Sequence, residues 1–149
     1  MKPTRTWVLI ADGARARLIV ATGHGKAIEI DELAEYSADH SPNRELQRDA
    51  APRVYDSQGT RRSAIEPKVD PHRELKRDFA ADLAETLEGL VQRKEIGPLI
   101  VAAAPTTLGD LRKAFSKRVH EAIVAELAMD LTKVPNADLP KHIRESLPL

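Results

Sequence analysis

The chain has 149 residues, 42% of them hydrophobic and 31% charged, and its 23 basic and 23 acidic side chains cancel to zero net charge. That balance excludes a general polyanion binder, which carries a global basic excess, and leaves only local basic patches to consider. With no cysteine there is no disulfide, thiolate metal site or cysteine nucleophile, which fits a reducing compartment.

A chain of this length reads as one domain, residues 1–149, able to bury a core without covalent staples. The amino terminus, MKPTRTWVLIADGARARLIV, is interrupted by Asp12, Arg15 and Arg17 too early to be an export signal. No stretch approaches the roughly 20 apolar residues of a membrane span. The expectation is a soluble, cytoplasmic protein with no membrane insertion.

Thr6 to Ala11 is a short apolar run, too brief for a helix, followed by Asp12-Gly13, a dipeptide suited to positive φ in a two-residue hairpin. Arg15 to Val20 reads as the partner strand. Gly23-His24-Gly25 marks a second turn, and Ile28, Ile30 and Leu33 alternate with acids as a half-buried third strand. The first 33 residues thus form an antiparallel meander.

From Glu35 to about Val69 the apolar pattern disappears among charges and Pro42, Pro52 and Pro67. A loop of that length in a compact domain is usually functional or disordered. It includes VYDSQGTRRS, Val54 to Ser63.

Asp70-Pro71 pairs a good N-cap with the residue favoured in the first helical position. Leu75, Phe79, Leu83, Leu87, Leu90 and Val91 then recur at helical spacing, with Glu85 and Glu88 read as solvent-facing, and Gly97-Pro98 as the stop. Leu99 to Ala104 reads as a central strand covered on both faces. After Pro105, Thr106 or Thr107 is expected to cap a helix from about Leu108, with Leu111, Ala114, Phe115 and Val119 inward. The segment Ala122 to Leu131 fits helix and strand equally. Its second half is read as strand, on Val124, Leu127 and Met129, because the central strand needs a neighbour. Pro135-Asn136 opens a last short helix to about Leu147. The order predicts an α/β sandwich with a mixed sheet, antiparallel at first and parallel at its end.

Candidate chemistry is sparse. His24, His40, His72, His120 and His142 share no ligand spacing, so no metal is expected. Asp12, Asp110 and Asp130 flank strands, as two-metal nuclease carboxylates would. Asp12 is better explained as a turn residue, and Asp110 as first-turn helix charge. No Gly-x-Ser-x-Gly elbow is present, Ser57, Ser63 and Ser116 have no evident base, and Gly23–Gly25 does not open a helix, so no cofactor is implied. Two positions remain. Thr106, Thr107 and Gly109 follow a buried strand and open a helix, where anions are favoured. The long loop and its exit carry Arg61, Arg62, Arg73 and Arg77, which suit nucleic-acid phosphates, with Tyr55 alone for stacking.

WVLIADGARARLIV, APTTLGDLRKAF and AELAMDLTKVPNADLPKHI, together spanning Thr6 to about Leu147, resemble the bacterial host-attachment protein family. ADGARAR and DLTKVP are its more specific strings. That family is described as required for attachment to host cells; without an export signal, the resemblance implies an intracellular, indirect effect by a non-enzymatic binding protein. The family in turn resembles the middle domain of archaeal and eukaryotic class 1 peptide-chain release factors, which implies a ribonuclease-H-like sandwich. It also places Ser57-Gln58-Gly59 where those factors present Gly-Gly-Gln. Two glycines give that backbone a freedom that a serine and a reversed order do not reproduce. The alternative so implied is a ribosome- or tRNA-associated protein hydrolysing a peptidyl-tRNA ester through Gln58 in the 55–63 loop.

Overall fold

The computed structural model describes residues 4–23, 27–38 and 70–147. Strands β1 (Arg5–Ala11), β2 (Arg15–Thr22) and β3 (Glu29–Ser37) precede helix α1 (Pro71–Gln92) and strand β4 (Leu99–Ala103). Helices α2 (Pro105–Ala114) and α3 (Lys117–Ala122), strand β5 (Ile123–Leu127) and α4 (Leu139–Ile143) follow, α4 being flanked by single 3-10 turns. The sheet order is β3-β2-β1-β4-β5. β1–β2 and β2–β3 are antiparallel, β1–β4 and β4–β5 parallel. This is the mixed α/β architecture expected from the order of elements.

Every residue of β4 has zero exposure, as a strand covered on both faces must. On the first face Leu9, Leu18, Leu99 and Val101 pack against Phe79, Leu83 and Leu87 of α1, Leu108 and Leu111 of α2, and Val119 of α3. On the second, Val8, Ile10, Ile19 and Ile100 meet Leu131, Leu139, Ile143 and Leu147. Three layers result, and the last seventeen described residues close the lower one.

The start of α1 follows the expected chemistry: the Asp70 side chain accepts from the His72 N–H, with Pro71 in the first turn. Its burial begins only at Phe79, so Leu75 at the head of the stripe stays 47% exposed. The helix stops at Gln92, before Gly97-Pro98. The Glu95 N–H donates to the Leu90 carbonyl and the Lys94 N–H to that of Val91, while Lys94 adopts a φ of 60°. That double bond is a Schellman closure with lysine where glycine is usual. Gly97 instead lies under the Trp7 ring, where an added Cβ would stand 3.1 Å from the indole.

Other expectations are corrected. Gly13 does not have positive φ; Gly23 does, at 97°. The first hairpin is closed by the Asp12 side chain, which accepts from the N–H groups of Ala14 (2.8 Å) and Arg15 (2.7 Å). β3 runs on to Ser37, past the expected start of the loop at Glu35. Leu18 pairs with Ala34 but Ile19 with Glu32, leaving Leu33 as a bulge, 49% exposed. The bulge moves even-numbered residues across the sheet: Ile28 and Ile30 pack on the second face, Ala34 and Tyr36 on the first. Such a swap makes a continuous strand look as if its alternation had ended.

α2 begins at Pro105, three residues earlier than expected. Its N-cap is Ala104, without a side-chain bond, so neither Thr106 nor Thr107 caps it. Helix α2 also stops before Val119. Phe115 is extended at ψ 138°, and Ser116 starts α3 by accepting from the Val119 N–H at 3.2 Å. β5 occupies Ile123–Leu127, in the first half of the ambiguous segment, and Met129 lies beyond it, 42% exposed. β5 begins as soon as α3 ends, and it supplies the neighbour that β4 required.

Candidate functional site

β1 lies between an antiparallel and a parallel neighbour, so the chain leaves it on one side and returns on the other. The carboxyl ends of the parallel strands β1 and β4 share one edge of the sheet, the kind of edge at which ligands of open α/β sheets collect. The turn after β1, residues 12–14, and the entry to α2 at Ala104 and Pro105 lie along it.

The acids along this edge are taken up by structure. Asp12 holds two backbone N–H groups of its turn. Asp130 does the same beyond β5, accepting from the Thr132 N–H at 2.9 Å and its hydroxyl at 2.6 Å. Asp110 is not a first-turn charge, since α2 has no acid in its first turn. It receives both terminal nitrogens of Arg73, at 2.6 and 2.5 Å, and ties the start of α1 to α2. The Arg73 guanidinium is pushed above its ordinary pKa, chiefly by the hydrogen bond to Asp110. Among the described residues no group of three or more His, Asp or Glu side chains could hold a metal ion.

Of the basic candidates, Arg73 thus faces a carboxylate. Arg77 stands 3.3 Å from Glu74 in a pair with both side chains more than half exposed, a contact worth little. Gln58, Arg61 and Arg62 lie outside the described residues. Thr106 is exposed and Thr107 half-buried in the first turn of α2, and a Cβ added at Gly109 would meet nothing within 4 Å. These three sit together at the helix start, where Gly109 is not required by close approach.

Two residues outside the set Arg61, Arg62, Arg73 and Arg77 organise the region. Lys76, exposed on α1, lays its aliphatic chain over Gly13, where an added Cβ would stand 2.7 Å from its Cγ. Arg17 crosses to the far end of the chain. Its guanidinium donates to the carbonyls of Leu131 (3.2 Å), Thr132 (3.4 Å) and Val134 (2.8 Å) and to Asn136 Oδ1, with Glu32 at 3.5 Å. The strings ADGARAR and DLTKVP are therefore in contact through one side chain. Their joint presence in the sequence was the signal; only the contact was missing.

Glu88, expected to face solvent, is half-buried, and it accepts from the Ser116 hydroxyl and from Arg118 at 3.0 Å. It thereby fixes α3 to α1. His120 Nε2 lies 2.8 Å from the Arg112 carbonyl, and its ring stands edge-on to Phe115 at 5.9 Å. That contact joins α3 to α2.

Fold and edge together define a three-layer α/β domain whose strand-end carboxylates serve turns and ion pairs. The chain belongs to the family described as "Protein required for attachment to host cells", whose model matches residues 7–143. No curated protein matches it. Among the described residues no helix is long and apolar enough to cross a membrane.

Proposed function

We propose that the chain is a non-enzymatic, cytoplasmic binding protein that supports attachment to host cells indirectly, through a partner inside the cell. The observation that carries this reading is the state of Asp12, Asp110 and Asp130. The acids best placed for chemistry at the strand ends are each held by backbone N–H groups, a hydroxyl or a guanidinium. A carboxylate so bound is a poor general base and has few lone pairs left for a metal. The test is fractionation of cells expressing a tagged copy from its own locus, with attachment scored in parallel and a low-salt pull-down of the cytosol. Full attachment with all of the protein in the cytosol, and a reproducible partner, is the expected result. Recovery on the cell surface or in the medium would overturn it.

A second reading is favoured by the element order, three strands, residues 39–69, a long helix, then alternating strands and helices, which parallels the release-factor middle domain. In it the partner is the ribosome or tRNA, Arg61, Arg62, Arg73 and Arg77 contact phosphates, and Gln58 faces the ester. Thr106, Thr107 and Gly109 would then offer a further anion contact. Binding to tRNA that is steeply salt-dependent, and weakened in Arg61→Ala/Arg62→Ala, supports this reading. Ester hydrolysis that survives Gln58→Ala removes the catalytic role.

A further inference from the structure

A cleft of about 400 Å³ opens beside the end of the β2–β3 ladder, lined by Arg15, Ala16, Arg17, Glu35, Tyr36, Ser37 and Thr132. Its size is that of a small-molecule site. One wall is the paired end of β2 and β3, where Arg15 is opposite Ser37 and Arg17 opposite Glu35. The other includes Thr132, whose carbonyl Arg17 holds and whose hydroxyl bonds Asp130. Both walls are fixed by contacts within the protein, so the shape exists before any ligand arrives.

The charges divide into two kinds. Arg17 is fully occupied with the carbonyls and Asn136 of the opposing loop. Arg15 and Glu35 both line the cleft and are exposed, and among the described residues neither side chain makes a hydrogen bond or ion pair, with the other or with any third group. Arg15 is thus the arginine of ADGARAR that folding does not use. Two opposite charges at one cleft, beyond ion-pairing distance of each other, match a ligand that carries both signs. A plain anion would be drawn to Arg15 and repelled by Glu35, and a plain cation the reverse.

We propose that this cleft binds a small zwitterion: an oxyanion, carboxylate or phosphate, held by Arg15, and a primary ammonium held by Glu35. The proposal uses none of the residues assigned to the partner readings above, so it stands or falls apart from them.

The test is titration of the full chain, followed by its backbone amide resonances at residues 15–17, 35–37 and 132. The probes are each of the twenty free L-amino acids and phosphoethanolamine, with acetate, inorganic phosphate and ethylamine as single-charge controls. Saturable shifts are expected for at least one zwitterion with a Kd of about 1 mM or tighter. Arg15→Gln and Glu35→Gln, both at exposed positions, should each weaken that zwitterion at least about tenfold. Glu35→Gln should in addition admit the plain anions. An amino acid as best ligand identifies a free metabolite, and phosphoethanolamine a lipid-type headgroup. Absence of saturable shifts with any zwitterion overturns the proposal. So does equal binding of the single-charge controls, or indifference of a bound zwitterion to both substitutions.

Discussion

The Arg17 guanidinium holds the Val134 carbonyl at 2.8 Å across a separation of 117 positions. The same group reaches Leu131, Thr132 and Asn136, so one side chain in β2 sets the path by which the chain returns under the sheet. Its side chain is 14% exposed, where carbonyls stripped of a donor cannot all recover water. Arg17→Ala is expected to cost about 3 kcal/mol and to raise amide exchange selectively at 131–136. Arg17→Lys should recover less than half of the loss, since an ammonium lacks the planar spread of five donors. Urea unfolding with site-resolved exchange checks both; equal protection of 131–136 in wild type and Arg17→Ala would refute the role.

Gly13 and Gly23 should respond unequally to a methyl group. At Gly13 the three atoms nearest an added Cβ all belong to the Lys76 chain, Cγ at 2.7 Å, and that chain can swing away. At Gly23 it would stand 2.2 Å from the Ala27 carbonyl oxygen, on a backbone with φ of 97°. Gly13→Ala is expected within about 0.5 kcal/mol of wild type, and Gly23→Ala to lose at least about 2 kcal/mol. Denaturation midpoints decide it.

The contrast shows where sequence reasoning stops. Asp12-Gly13 reads as a hairpin dipeptide because that pair often supplies positive φ, but an aspartate can close the same turn with its side chain. Composition does not distinguish the two. Elements with strong local signals were legible: the Asp70-Pro71 start, the stripe from Phe79, and the unbroken run of β4. What was hidden depends on pairing between distant segments. The bulge at Leu33 swaps the faces of β3, and the break at Phe115-Ser116 follows from Ser116 capping α3. Among the site candidates, the sequence marks Arg73 as a cation, but only packing of α1 on α2 reveals Asp110 opposite it.

The pair formed by Arg73 and Asp110 is bidentate and joins two helices. Arg73→Ala and Asp110→Ala should each lower the unfolding midpoint, and the double variant should lie no lower than the worse single one, as members of one unit behave. Arg73→Lys should resemble Arg73→Ala, because a lysine cannot make the fork. Strict additivity in the cycle would show that the two residues act separately.

Lys94 occupies the left-handed position that ends α1, at a φ of 60°. A side chain there costs about 1 kcal/mol relative to glycine. Lys94→Gly is expected to raise stability by that amount, measured as a higher midpoint with an unchanged denaturant slope. A fall in stability would mean that the lysine makes a compensating contact.

Tyr36 packs beside the first-face core from β3, and burial pushes its phenol above the ordinary 10.0. Burial disfavours the phenolate, so the sign of the pH effect is fixed. Below pH 10 the phenol is neutral in folded and unfolded chains and adds no pH dependence. Above it, the unfolded chain releases the proton first, and stability falls as pH rises toward the folded-state value. Tyr36→Phe cannot release a proton, so it should remove this part of the alkaline loss while leaving lysine ionisation common to both proteins. Urea midpoints at pH 9 and pH 11, about one unit either side of the free phenol, provide the comparison. The wild-type drop should exceed that of Tyr36→Phe, and the absorbance of the Tyr36 phenolate should develop later than that of free tyrosine. Parallel drops in the two proteins would mean that the ring is solvated, and the packing of the end of β3 beside Ala16 and Leu18 would have to be redrawn.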